Sequence, residues 1–203
     1  MTAFAEMPAW AHCLPPIAES ATPVAVNADD TDVRACLDGD GEAYRRIVER
    51  HQDHVAAIMW RFTRDRDEHE ELVHDVFVEA FLGLAKFRGD APLEHWLARI
   101  ATRVGYKLWR RRARDRQQVS LAEWQEVGER KSDLRPGEAA ELVHRLLAML
   151  SPRDRLVMTM RFVDERTVEE TAALTGWSET MVKVQTWRAR RKLKGLLARL
   201  EES

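Results

Sequence analysis

Residues 93–116, LEHWLARIATRVGYKLWRRRARDR, constrain this chain more than any other stretch. Leu93, Trp96, Leu97, Ile100, Val104 and Leu108 recur at steps of three and four, the spacing of one core-facing side of an α-helix. Arg99, Arg103, Tyr106 and Arg110 recur at helical steps on the other side, and the pattern runs into Arg110, Arg111 and Arg112. Little acid dilutes that side. A solvated face is the plainer reading, but cations that neutralise phosphates, set beside a ring that stacks on an unpaired base for roughly 1–3 kcal/mol, suit nucleic acid better.

The net charge of −2 and a pI near 6.4 argue against such a partner until the charges are located. Residues 64–79 hold seven acids (Asp65, Asp67, Glu68, Glu70, Glu71, Asp75, Glu79) against two arginines. Residues 93–116 and 183–199 are strongly basic, and distribution decides the partner where the sum does not. With 45% hydrophobic and 33% charged residues but only 9 Gly and 7 Pro, the chain reads as all-α. Two cysteines, Cys13 and Cys36, make no disulfide framework and fit a reducing cytoplasm. No apolar run approaches a membrane span, and the N-terminus lacks the pattern of a secretory signal.

Residues 1–28, with four prolines and no periodicity, read as a flexible extension in which Phe4 and Trp10 are the only conceivable anchors. Asp30, Thr31 and Asp32 offer N-cap chemistry for a short helix ending at Leu37. Gly39-Asp40-Gly41 breaks it and opens a helix carrying Tyr44, Ile47, Val48, His51, Val55, Ile58 and Met59. A third helix, predicted over residues 68–87, has a buried stripe of Val73, Val76, Phe77, Ala80, Phe81 and Leu84. It also has an acidic stripe of Glu68, Glu71, Asp75 and Glu79, a natural contact for a basic protein surface. Residues 117–136 lose periodicity and read as a linker, with Trp124 unassigned. Beyond it, Leu142, Val143, Leu146, Leu147 and Leu150 mark a helix, and Ser151-Pro152 caps another holding Leu156, Val157 and Met160.

Thr167-Val168-Glu169-Glu170 is a capping box, Gly176 a turn residue free to take positive φ, and Ser178 a cap for a long terminal helix. Helix, glycine turn and a helix that becomes basic make a helix-turn-helix. Val182, Ala189, Leu193 and Leu196 are expected to face its core. Ser178, Glu179, Thr180, Lys183, Val184 and Gln185 are expected toward a major groove, with Arg188, Arg190, Arg191 and Lys192 toward phosphates.

Three blocks together, EELVHDVFVEAFLGLAKFRG, HWLARIATRVGYKLWRRRAR and LSPRDRLVMTMRFVDERTVEETAALTGWSETMVKVQTWRARRKL, resemble a sigma factor of the extracytoplasmic-function group. The resemblance spans roughly residues 32–197. It implies two small helical domains, residues 29–116 and 137–203, joined by the linker, the second being the helix-turn-helix. It implies core RNA polymerase and promoter DNA as partners, an anti-sigma protein as a regulator common in the group, and no insertion in a membrane. The core polymerase would be met by Glu71, Asp75 and Glu79, with Glu68 and Leu72 beside them. The minus-ten element would be recognised and held open by Trp96, Arg99, Arg103, Tyr106, Lys107, Arg110 and Arg111. The helix-turn-helix would read the minus-thirty-five element. Arg103 and Lys107 stand where the family commonly has Asn and Asp, and Gln185 where Arg is frequent. Because Gln pairs with adenine where Arg favours guanine, Gln185 is expected to shift the preference.

Other classes fit less well. His69-Glu70-Glu71-Leu72-Val73-His74 is similar to a zinc-protease motif, but its histidines are five apart, off a common face. His51 and His54, with Cys36 upstream, lack a third and fourth ligand at telling spacing. No P-loop, nucleophile elbow or glycine-rich phosphate cradle is present, so neither enzyme activity, cofactor nor metal is expected. A stand-alone helix-turn-helix regulator would explain residues 167–192 alone and leave the acidic stripe and the basic helix without a task.

Overall fold

The computed structural model describes residues 28–118 and 136–201, and every regular element among them is helical. The extension with Phe4, Trp10 and Cys13, and the linker with Trp124, lie outside the described residues. The chain falls into two compact units, one N-terminal and one C-terminal, with the last turns of the helix Leu93–Gln118 running out of the first.

The N-terminal unit contains α1 (Ala28–Leu37), α2 (Gly41–Met59), α3 (Arg66–Gly83) with a single 3-10 turn (Leu84–Lys86), and α4 (Leu93–Gln118). Asp40 caps α2 by accepting from the Glu42 amide at 2.9 Å, and Asp65 caps α3 by accepting from Glu68 at the same distance. α1 begins at Ala28, so Asp30, Thr31 and Asp32, expected as its cap, lie inside the helix. Asp29 and Asp32 are buried against α2, where Arg46 Nε donates to Asp32 at 2.9 Å and Arg50 Nη2 at 2.7 Å. Asp29 accepts from Arg50 and faces His51 Nε2 at 3.0 Å. The bonds from Arg50 and Arg46 hold the Asp32 carboxyl below its ordinary range. Burial pushes Asp29 upward, but its bonds to His51 and Arg50 outweigh this and it too is lowered.

The core of this unit lies where α2, α3 and α4 meet. Phe62, which follows α2, is 2% exposed, and its ring lies over Gly105 of α4. A Cβ at residue 105 would sit 2.2 Å from the ring, so glycine is required by space, not by backbone angle. Trp109 Nε1 donates to the Phe62 carbonyl at 2.8 Å, and the two rings pack 4.6 Å apart. Tyr44 donates to the Phe77 carbonyl and tethers α2 to α3. Burial pushes its phenol up to about 12, so it remains a donor.

The C-terminal unit contains α5 (Pro136–Ala148), α6 (Pro152–Met158) running into a π-helical turn (Thr159–Val163), α7 (Val168–Thr175) and α8 (Glu179–Glu201). Its core joins Leu147, Leu150, Val157, Met158, Val182 and Ala189, with Leu193 and Leu196 packed against them. Of the stripe expected on α5, Leu142 and Val143 are instead exposed, because Leu147 and Leu150 face the core. The capping box forms in both directions: Thr167 N donates to Glu170 at 2.6 Å, and Glu170 N to Thr167 Oγ1 at 3.1 Å. The Thr167 amide, above all, holds the Glu170 carboxyl below its ordinary range. Gly176 ends α7 at φ 73°, and Ser178 Oγ accepts from Met181 N at 3.2 Å to open α8. Glu165, in the preceding loop, also sits in the left-handed region at φ 54°.

Candidate polymerase and nucleic-acid interfaces

In α4 the apolar stripe Leu93, Leu97, Ile100, Val104 and Leu108 is buried, which turns Arg99, Arg103, Lys107, Arg110 and Arg111 outward. Tyr106 is half-buried among them. Trp96, expected both on the core stripe and at the minus-ten element, packs within the unit. It is half-buried, its ring tilted against Phe87 at 5.4 Å and seated beside Gly83. The 3-10 turn after α3 brings Phe87 back onto α4, so this indole serves packing.

α3 shows two different solvent-facing sides. One carries Glu71 and Asp75, both exposed, with half-buried Glu68 and Glu79 at helical steps beside them. Val78 and Leu82, 42% and 75% exposed, adjoin that acidic side and also line the groove between α2 and α3, so the two sides meet at them. Leu72 does not belong to the acidic side. One turn before fully buried Val76, it lies on the core stripe at 6% exposure and cannot reach a partner. Glu79 bridges α3 and α4, accepting from Arg103 Nη2 at 3.0 Å with Lys107 at 3.9 Å. Exposed pairs of this kind contribute only about 0–1 kcal/mol and open readily to a competing partner.

The second side of α3 faces α2 across an open groove of about 800 Å³, lined by Tyr44, Val48, Val73, Phe77 and Phe81, with His74 and Glu70 at its edge. Phe81, expected in the core, is 51% exposed and stands edge-on to Tyr44 at 4.9 Å. Of the four histidines weighed as ligands, three meet protein groups and His74 is exposed at the groove. His51 faces Asp29, His54 Nδ1 lies 3.2 Å from Glu94, and His69 bonds to the Ala56 carbonyl and stacks on Trp60 at 3.9 Å.

Ser178, which caps α8, and Glu179, Thr180, Lys183, Val184 and Arg188 on it are exposed. Lys183 is paired one turn back with Glu179 at 3.3 Å. Gln185 is a correction: it is buried, and its Nε2 donates to Asp154 Oδ1 at 2.5 Å. It shares the inward side of α8 with Val182 and Ala189, so it cannot reach a base edge. Lys192, expected toward phosphates, also turns to Asp154, 2.5 Å from Oδ2.

Asp154 itself is fully buried and accepts a third bond, from Ser151 Oγ at 2.7 Å. It joins α6 to α8, a role the sequence did not disclose. Three residues after Ser151, it carries only the local signature of a helix start.

Known proteins share the sequence pattern and the fold. The profile of Sigma-70 region 2 matches residues 47–115, and that of Sigma-70 region 4 matches residues 140–193. The ECF RNA polymerase sigma-E factor of Escherichia coli (strain K12) is 27% identical over 173 residues, covering 80% of this chain and 90% of its own. The RNA polymerase sigma-H factor of Pseudomonas aeruginosa is 27% identical over 163 residues, covering 75% and 84%. Among solved structures, CnrH in complex with the cytosolic domain of CnrY matches with a TM-score of 0.54 and 26% identity, over 85% of this chain and 98% of that one. The sigma factor RpoE of Bartonella quintana, solved with the anti-sigma factor NepR, shares the fold at a TM-score of 0.51 and 22% identity, over 76% and 96%.

Two sigma regions in this order, on two helical units, define a factor that gives RNA polymerase its promoter choice. The chain belongs to the sigma-70 family, as an extracytoplasmic-function sigma factor. It is an alternative sigma factor that binds core RNA polymerase and promoter DNA and directs initiation. A stand-alone regulator is not favoured, because a whole region 2 precedes the helix-turn-helix.

Proposed function

We propose that residues 29–116 contact core polymerase through the acidic-apolar side of α3 and engage the minus-ten element through the outward face of α4, while residues 137–203 read the minus-thirty-five element with α8. The contacts to polymerase are Glu71 and Asp75, supported by Glu68, Glu79 and the exposed Val78 and Leu82. Arg99, Arg103, Lys107, Arg110 and Arg111 neutralise phosphates, and Tyr106 offers a ring to an unstacked base. On α8 the reading set is Glu179, Thr180, Lys183, Val184 and Arg188.

The observation that carries this division is the sorting of charge within one unit. Acid lies on α3 and base on α4, bridged by Glu79 to Arg103 and Lys107. Polymerase binding at α3 would draw on Glu79 and release Arg103 and Lys107 toward DNA. The residues recruited are binding residues, and we assign the chain no catalytic step. Among the described residues no helix is long and apolar enough to cross a membrane, and we place the protein in the cytoplasm with its polymerase. The apolar lining of the α2–α3 groove suits an anti-sigma helix with an apolar face.

The test is run-off transcription with purified core polymerase and this chain, with start sites mapped. Specific transcripts that need the chain support the assignment. Their absence, with the chain failing to co-elute with core, would overturn it.

A further inference from the structure

The outward side of α8 carries two apolar side chains that the C-terminal unit does not use. Val182 and Ala189 are fully buried and Gln185 nearly so, which fixes the inward side of the helix. Opposite them, at steps of three and four, lie Thr180, Val184, Trp187 and Arg191, all exposed. Trp187 is 62% exposed and Val184 43%, and they are neighbours on adjacent turns. Lys183 and Arg188 flank the pair, and the Arg191 guanidinium lies over the indole, 5.8 Å from its centroid.

An apolar pair in the middle of a cationic face fits one kind of surface well. A duplex major groove is wide enough for a helix, its phosphate walls attract cations, and its floor offers a single apolar group, the C5-methyl of thymine. Cations at the edges of the α8 face would meet the walls, while its centre would meet the floor. Arg191, stacked on the indole, would hold the ring in place and keep a charge near a phosphate.

We propose that Val184 and Trp187 form an apolar reader of a thymine methyl within the minus-thirty-five duplex, so that this promoter element is recognised in part by shape against a methyl group. The proposal rests on the assignment of α8 to duplex reading made above.

The experiment uses holoenzyme assembled from core polymerase and the full chain. A random-sequence selection over the minus-thirty-five segment defines the preferred duplex. Each of its thymines is then replaced by deoxyuridine, which removes only the methyl, and affinity is measured by competition. The expected result is one thymine whose replacement weakens binding about fourfold, the equivalent of roughly 0.8 kcal/mol for one buried methyl-sized group. That penalty disappears in Trp187→Ala and persists in Trp187→Phe, which keeps an apolar ring. Because Trp187 is exposed, both variants should fold, which thermal melting checks.

Methyl-insensitive binding at every thymine overturns the proposal and leaves duplex reading by α8 in place. So does an equal loss for Trp187→Ala on thymine and deoxyuridine duplexes, which would mark a contact blind to sequence. A selection that returns no preference anywhere in the segment overturns duplex reading itself, and the proposal with it.

Discussion

The two outward-facing basic helices rest on opposite kinds of support. Behind the cationic face of α4 the support is mainly apolar, with Gly105 closed over by the Phe62 ring and a hydrogen bond from Trp109 Nε1 to the Phe62 carbonyl, and no buried carboxylate is seen there among the described residues. Behind the face of α8, beside Val182 and Ala189, stands a buried carboxylate, Asp154, that takes bonds from Gln185 and Lys192. Apolar packing is non-directional and tolerates small shifts, whereas hydrogen bonds to a fully buried carboxylate fix rotation and register. The difference fits the tasks proposed for them. A helix that grips an opened strand by phosphates and stacking needs position, and one that reads base edges in a duplex also needs a set rotation about its own axis.

Substitutions behind each helix break this contrast or sharpen it. Gly105→Ala should be the most damaging, because the new Cβ meets a buried ring at 2.2 Å and overpacking of this kind costs about 3 kcal/mol. Urea unfolding should show a large loss confined to the N-terminal unit, and a near-neutral result would mean that Phe62 has room to move. Asp154→Ala should destabilise the C-terminal unit by about 2 kcal/mol, since Gln185 is left buried without its partner while Lys192 turns to water. If α8 is held mainly by Val182 and Ala189, the same variant would be almost silent in calorimetry.

Acid offers a finer comparison, because the N-terminal unit has its own carboxylate clamp at α1. Asp29 and Asp32 are both held below the ordinary range, so their contribution is complete above the unfolded carboxylate pKa of about 3.9 and fades as pH falls through the lower folded values. Urea midpoints should be level from about pH 5 to 8 and drop below about pH 4. The double variant Asp29→Asn, Asp32→Asn should be less stable at neutral pH and should lose part of that acid-induced drop. The smallest expected effect is at the loop before α7. Glu165 holds φ 54°, and Glu165→Gly should raise stability by about 0.5–1 kcal/mol, measured as a higher melting temperature.

Local signals made much of this fold legible. The Thr167–Glu170 box, Gly176, Ser178 and Ser151 each act within four residues, so their roles follow from order alone. The stripe on α4 was equally plain, because a long helix against a core repeats its pattern many times. What the sequence hid were contacts set by packing. Asp154 reads as a helix-start acid, yet its partners Gln185 and Lys192 lie 31 and 38 residues away. Asp32 reads as a cap and serves as an ion-pair partner across 14 and 18 residues, and Asp29, which carries no local signal, pairs across 21 and 22. On α3 apolar residues lie nearly all round the helix, so periodicity alone does not fix its inward direction, and the core takes Leu72 where the pattern points to Phe81. On α8 a polar Gln185 reads as outward, yet its partner Asp154 draws it inward.

The central claim is that α3 offers polymerase an acidic side that is separate from the core. Its most direct test is the affinity of core polymerase for the variant Glu71→Lys, Asp75→Lys, with helicity and melting checked in parallel. Both side chains are exposed, so the fold should be unchanged, and affinity should fall roughly tenfold or more, about 1.4 kcal/mol per factor of ten. A variant that folds normally and binds core polymerase as tightly as the parent would contradict the account.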